Sequence, residues 1–249
     1  MFSPETTVRD IVVRVPESTR LFEKLAIDYC CGGNRMLKDA CDLAGLQTTD
    51  VLRMLGQVGD SQPVSAHDLE VQRLPLTKMI DHIVDKHHVY TKNEILRLQA
   101  LSRKVFSVHG GNHPELHHVC ELFDQLGAEL MPHMFKEEHV LFPYITELVQ
   151  AQDEESVPPV APFVTVNNPI RRMMLEHDMA GEILRELRRV TANYKTPSDA
   201  CISFRTLYDA LEALEKDLHQ HIHLENNILF PRSAELEALL SHASMDVLA

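Results

Sequence analysis

From about residue 75 onward, apolar positions recur every three to four residues over long stretches, which is the period of a helix buried on one face. Met79, Ile80, Ile83 and Val84 open the first such face, and the pattern predicts a helix over about 75–108. Gly110-Gly111-Asn112 breaks it, and Pro114 suits the first position of a second helix over about 114–149. A loop with Pro158, Pro159, Pro162 and Pro169 follows. The pattern then predicts a third helix over about 169–192 and a fourth over about 198–224, continuing towards 240. Nothing in this half alternates with the period of a strand. Four long helices with short connections predict an all-α, up-down-up-down four-helix bundle.

Before the bundle the apolar runs are short. Thr6 or Thr7 can cap a helix over Val8–Val13, Pro16 precedes a stripe of Leu21, Phe22 and Leu25, and Gly32-Gly33 makes a turn. Leu37 to Ala44 is a third short helix ended by Gly45, and Thr48-Thr49-Asp50 opens a fourth. Gly56-Gln57-Val58-Gly59-Asp60-Ser61-Gln62-Pro63 is rich in breakers and lacks periodicity. The expected organisation is a small helical domain over 1–56, a linker over 57–74 and the bundle over 75–249.

Composition narrows the chemistry. A net charge of −13 makes binding to a phosphate backbone unfavourable, so nucleic acid is not an expected partner. No run approaches the roughly 20 apolar residues of a membrane helix, and the N-terminus lacks a basic flank followed by an apolar core, so neither a membrane nor a secretory route is expected. Five cysteines, Cys30, Cys31, Cys41, Cys120 and Cys201, are odd in number and irregular in spacing, which fits a reducing cytoplasm better than a disulfide framework. Cys41, Cys120 and Cys201 fall on apolar helical patterns and are expected in the core. Cys30 and Cys31 precede a Gly-Gly turn, where a thiolate can react or bind metal. Fourteen of the fifteen histidines lie after residue 80, which points to a metal.

An internal repeat carries that metal hypothesis. His133-Met-Phe-Lys-Glu137-Glu-His-Val-Leu141-Phe142-Pro143 and His221-Ile-His-Leu-Glu225-Asn-Asn-Ile-Leu229-Phe230-Pro231 share the His, the Glu and Leu-Phe-Pro at an offset of 88 residues. His88 and His177 lie 89 residues apart, so the bundle reads as a duplicated helix pair. Positions i and i+4 share a helix face, so each His-x-x-x-Glu turns an imidazole and a carboxylate the same way. One such pair is an ordinary solvated contact; two, each followed by the same triplet, predict a dinuclear site in which Glu137 and Glu225 can each bridge two ions. Periodicity leaves His87 and His88 as alternatives on the first helix, with His88 favoured because it continues Ile80 and Val84. The donors suit iron, zinc or manganese. The Glu-x-x-His pattern of ferritin-like sites occurs only at Glu115–His118, with no partner at the repeat offset.

These residues resemble the hemerythrin-like domain. The whole chain resembles a narrower family, the iron–sulfur cluster repair or repair-of-iron-centres proteins, which join a small Cys-Cys-Gly-Gly domain to a hemerythrin-like diiron domain. Ile27-Asp28-Tyr29-Cys30-Cys31-Gly32-Gly33-Asn34-Arg35, His88, Val108-His109, His133-x-x-x-Glu137, Glu176-His177-Asp178 and His221-x-x-x-Glu225-Asn226-Asn227 carry the resemblance over nearly the whole chain. It implies His88, His133, His177 and His221 as ligands of two iron ions, oxo- or hydroxo-bridged when oxidised, with Glu137 and Glu225 as bridges and His109 as a further ligand. Pro132 departs from a regular helix beside His133 and is expected to kink it. The implied function is repair of iron–sulfur clusters damaged by oxidants or nitric oxide, through iron delivery or redox at the diiron centre, assisted by Cys30 and Cys31. The implied partners are damaged iron–sulfur proteins; a reductase and a homodimer are compatible with it. Two other functions stay open: a diiron enzyme acting on nitric oxide or another nitrogen oxide, and a sensor or store of oxygen or iron.

Overall fold

A computed structural model describes residues 2–58 and 70–246, and the side chains of residues 2–58 and 70–242. Most of the expected linker, residues 59–69, lies outside the described residues. Among the described residues the regular structure is helical; the sole strand-like feature is an isolated bridge between Thr7 and Met36. No helix among them is long and apolar enough to cross a membrane.

Contacts gather the described residues into two units. One takes those within 1–80, 148–158 and 222–249, the other 81–147 and 159–221.

In the first unit, Val8–Arg14 (α1), Ser18–Lys24 (α2), Leu37–Leu43 (α3) and Thr48–Leu55 (α4) are the four short helices the sequence predicts. Thr7 is the cap of α1, its hydroxyl accepting from the Asp10 N–H at 3.1 Å. A left-handed Gly45 (φ 69°) follows α3, where a side chain would strain the backbone. Helices this short are unstable alone and depend on packing. Val8, Ile11, Phe22, Tyr29, Leu37, Cys41 and Val51 supply it, together with Ile222. The N–H groups of Val8 and Arg9 donate to the carbonyls of Arg35 and Gly33, which ties the start of α1 to the Cys-Cys-Gly-Gly turn.

Leu76–His82 (α5) leads into a wider π-helical turn, Ile83–His88, and then Val89–His109 (α6). Glu115–Lys136 (α7) runs into a second π turn, Glu137–Leu141, and Phe142–Asp153 (α8). Asn167–Val190 (α9) is uninterrupted, while Ile202–Leu224 (α10) passes through a third π turn, Glu225–Leu229, into Phe230–Asp246 (α11). The long helices predicted from periodicity are present, within a few residues at each end. Helix α7 continues through Pro132 for four more residues, so the proline does not end it.

Long α-helical stretches within 81–147 and 159–221 pack as α6 on α7 and α7 on α9. Leu116, Val119, Phe123, Leu126 and Leu130 recur at alternating spacings of three and four along α7, and Leu207, Leu211, Leu214 and Leu218 do the same along α10. Each such side chain contributes about 1.5–3 kcal/mol by leaving water. Cys41 is buried as expected, but Cys120 is only half-buried and Cys201 is exposed. Cys201 sits just before α10 begins, outside the apolar stripe that its neighbours suggest.

Candidate metal centre

The three π turns fall on the residues that the repeat singles out. Each π turn is closed by an i→i+5 bond: Phe142 N–H donates to the Glu137 carbonyl, Phe230 N–H to the Glu225 carbonyl, and Val89 N–H to the Val84 carbonyl. The repeated prolines account for two of them. Pro143 and Pro231 have no N–H for the carbonyl four residues back, and their rings crowd it, so the backbone widens just ahead of them. Donor geometry decides between the adjacent histidines, both of them buried in the first turn: His88 joins a donor group and His87 does not.

Four imidazoles and two carboxylates converge. His88, Glu137 and Glu225 are fully buried, and His133, His177 and His221 are 1% exposed. Their donor atoms form two groups, each with all members within 4.8 Å of one another: His88, Glu137, His221 and Glu225 in one, His133, Glu137, His177 and Glu225 in the other. Both carboxylates belong to both groups. Glu137 points Oε2 towards His88 Nε2 at 3.4 Å and Oε1 towards His133 Nε2 at 3.2 Å. His88 Nε2 lies 3.1 Å from His221 Nε2, and His133 Nε2 lies 3.0 Å from His177 Nε2. Each group therefore takes one histidine from each half of the repeat, and neither half can build a group alone.

The outer nitrogens fix how the rings are used. His88 Nδ1–H donates to Glu138 Oε1 at 2.7 Å, and Lys92 holds the same carboxylate at 2.6 and 2.8 Å. His133 Nδ1–H donates to Glu176 Oε2 at 2.9 Å, and Glu176 is gripped by Lys136 at 2.6 Å and by Arg172 at 2.7 Å. With the proton on Nδ1, the Nε2 lone pair of each ring faces its group. The His133 hydrogen bond, reinforced by Lys136 and Arg172, holds the Glu176 carboxyl down at about 2 despite its burial. Burial pushes the Glu138 carboxyl up, but the hydrogen bonds from Lys92 and His88 outweigh it and leave it lowered. Both carboxylates thus stay ionised and steer the imidazoles.

Neighbouring rings seal the site. Phe142, the centre of the first Leu-Phe-Pro, stacks on His88 with centroids 5.8 Å apart. His87 is equally buried but turns away from the groups: its Nδ1 is 3.0 Å from Asp217 Oδ1 and its ring stacks on His221. Burial lowers its pKa, partly offset by Asp217. His87 packs a ligand ring and does not join the donor set.

The donor chemistry fits two cations. Carboxylates this far from water are costly unless opposite charge accompanies them, and six convergent nitrogen and oxygen donors in two four-membered sets accommodate a pair of divalent or trivalent ions.

Three expected site residues are elsewhere. His109 ends α6, 21 residues beyond His88 on one continuous helix, which is about 31 Å at 1.5 Å per residue. There its Nε2 lies 3.1 Å from Cys201 Sγ, and it belongs to neither group. Cys30 and Cys31 lie in the turn before α3, where Cys30 is buried and Cys31 half-buried. Their Sγ atoms are 3.9 Å apart, and with Asp28 they form a third donor group. Sequence reading missed Glu138, Lys92, Lys136 and Arg172. The available signal was position: Lys92 is one helical turn after His88, and Arg172 one turn before Glu176.

Comparison with known proteins agrees with this geometry. Residues 79–233 match the family described as hemerythrin HHE cation binding domain, and residues 4–58 match a domain of unknown function, DUF542. The chain is similar to the iron-sulfur cluster repair protein YtfE of Enterobacter sp. (strain 638), with 33% identity covering 90% of this chain and 94% of that one. It is 32% identical to the YtfE protein of Escherichia coli O81 over the same shares. The iron-sulfur cluster repair protein ScdA of Staphylococcus haemolyticus is 29% identical over 92% of this chain and 98% of its own length.

Proposed function

The chain belongs to the iron–sulfur cluster repair family of hemerythrin-like proteins, and from that premise we propose that it is a non-haem diiron protein that restores iron–sulfur clusters damaged by oxidants or nitric oxide. The observation that carries this reading is the pair of buried His2Glu2 groups sharing Glu137 and Glu225. Mixed imidazole and carboxylate donors of this kind suit iron.

His88 and His221 would hold one iron, His133 and His177 the other, with Glu137 and Glu225 bridging them. Bound there, the pair supplies labile iron and one-electron redox capacity. Glu138 and Glu176 hold the Nδ1 protons of His88 and His133, so these rings coordinate only through Nε2. The Cys30-Cys31 turn assists by handling iron on its way to a client. The clients would be damaged iron–sulfur proteins in the cytoplasm, with a reductase as a further partner.

The test joins metal analysis to repair. Protein from iron-replete cells should carry two irons per chain and reactivate an iron–sulfur enzyme inactivated by nitric oxide; zinc in place of iron, or no reactivation by the iron-loaded chain, refutes the reading. A second reading, turnover of nitric oxide at the same centre, draws on the four donors per ion, which leave positions open on a six-coordinate metal. Catalytic consumption of nitric oxide without a client present would favour it.

A further inference from the structure

We propose that Asp28, Cys30 and Cys31 form a third metal site, which takes one thiophilic divalent ion and uses none of the bundle ligands. The donors already stand at coordination distances. A tetrahedral ion with metal–sulfur bonds of about 2.3 Å and metal–oxygen bonds of about 2.0–2.2 Å sets two sulfurs roughly 3.8 Å apart, and a sulfur and an oxygen roughly 3.5 Å apart. Cys30 Sγ is 3.9 Å from Cys31 Sγ and 3.4 Å from Asp28 Oδ1. Both residues are free thiols in this turn.

The turn is held in that shape from both sides. Asp28 Oδ1 accepts the Cys31 N–H at 2.9 Å. A side chain on residue 32 is excluded, because its Cβ would lie 2.8 Å from the Asp28 carbonyl oxygen and 3.3 Å from the Asp28 carboxyl carbon. A Cβ on residue 33 would lie 2.6 Å from Asn227 Oδ1 and 3.2 Å from the Tyr29 carbonyl. Asn226 Nδ2–H donates to the Cys30 carbonyl at 3.2 Å and Asn227 Nδ2–H to the Tyr29 carbonyl at 3.0 Å. The two glycines and two asparagines therefore leave the thiols and the carboxylate facing one point, which lowers the ordering cost of binding.

Three protein donors leave a fourth position for water or an incoming ligand, the arrangement of an exchanging site and not of a closed structural one. Cys31, the half-buried member, is the side of entry. Soft thiolates select the ion's class: ferrous iron, zinc or cobalt, not magnesium or calcium. Binding converts two thiols to thiolates and releases two protons, with no change of oxidation state. Assigning the physiological ion to iron(II) rests on the repair reading; the existence of the site does not.

The experiment uses the full-length chain with its bundle metals in place, anaerobic and reduced, titrated with cobalt(II). One further equivalent should bind with thiolate-to-cobalt charge-transfer absorption. Cys31→Ser should weaken the band, and Cys30→Ser with Cys31→Ser should abolish it. The near-isosteric Asp28→Asn should bind cobalt about tenfold or more less tightly, with circular dichroism and bundle metal content unchanged. Absence of the charge-transfer band, its persistence in the double serine variant, or unchanged affinity in Asp28→Asn would overturn the site. Iron(II), the weaker binder of the two, should displace the cobalt when in large excess; no displacement by a large excess of iron(II) would overturn the assignment to iron and leave a different ion there. A bundle without iron would sink the repair reading while leaving the cobalt band in place, so the two failures are distinguishable.

Discussion

The side-chain amide of Asn226 donates to the main-chain carbonyl of Cys30 at 3.2 Å across 196 residues of sequence. Asn226 directly follows Glu225, one of the two carboxylates shared by both metal groups, and the π turn they open also carries Asn227, which holds the Tyr29 carbonyl. One widened turn of helix thus presents a carboxylate to the metal groups and two amides to the thiol turn.

Asn227→Ala should destabilise the chain by about 1–3 kcal/mol, because it leaves the buried Tyr29 carbonyl and His223 Nδ1 without the amide that now serves both. Asn227→Asp should not restore the bond to the Tyr29 carbonyl, since a carboxylate has no hydrogen to donate to it. Urea unfolding followed by circular dichroism checks both variants; a midpoint unmoved by Asn227→Ala would show that the amide is dispensable.

Glu137→Ala and Glu225→Ala should each release more iron than any single histidine variant of the bundle. A histidine contributes one bond to one ion, whereas each carboxylate belongs to both donor groups. Its charge also reduces repulsion between cations about 3.5–4 Å apart. Iron per chain after dialysis against a weak chelator reads this out. Two irons retained in either Glu variant would remove the bridging role.

Glu138→Gln and Glu176→Gln should each lower metal affinity about 10–100-fold without deleting a ligand, because each takes away the charge that orients one imidazole. The losses should fall on different ions, since Glu138 serves His88 and Glu176 serves His133. Competition with a chelator, read ion by ion through Mössbauer spectra, separates them. Equal loss of both ions in each variant would mean that these carboxylates act on the bundle as a whole.

His109→Ala should leave both irons in place. The helix sets His109 about 31 Å along from His88, beside the exposed Cys201. Loss of even one iron from this variant would mean that the chain reaches a second arrangement in which His109 is a ligand.

His113 should stabilise the fold in a pH-dependent way. Asp199, and next Glu115, raise its pKa above the unfolded value of about 6.5. A group raised on folding contributes its full stabilisation below the unfolded value and loses it as pH rises through the folded one. His113→Ala should therefore lower the urea midpoint at about pH 5.5 more than at about pH 9. A penalty independent of pH would attribute the effect to the ring's contact with Phe204 alone.

Much of the site is legible in the sequence because its rules are local. A His and a Glu four residues apart share a helix face whatever surrounds them, so His133 with Glu137 and His221 with Glu225 declare themselves, and the repetition at 88 residues declares a pair of sites. The helices follow from the same periodicity, and the first Leu-Phe-Pro triplet marks where Phe142 packs against the ligand ring of His88. Tertiary structure alone decided the rest. Pairing of His88 with His221 and of His133 with His177 crosses the repeat, and helix packing sets it, not spacing. Periodicity favours His88 over His87 without separating them; the fold buries both, but gives His88 to a donor group and His87 to Asp217. His109 reads as a neighbour of the site in a motif yet stands a helix length away, because a straight helix converts sequence separation directly into distance. The hold of Asn226 and Asn227 on the thiol turn joins segments almost 200 residues apart; no local rule of residue type or period specifies a contact that only the folded chain brings within hydrogen-bond reach.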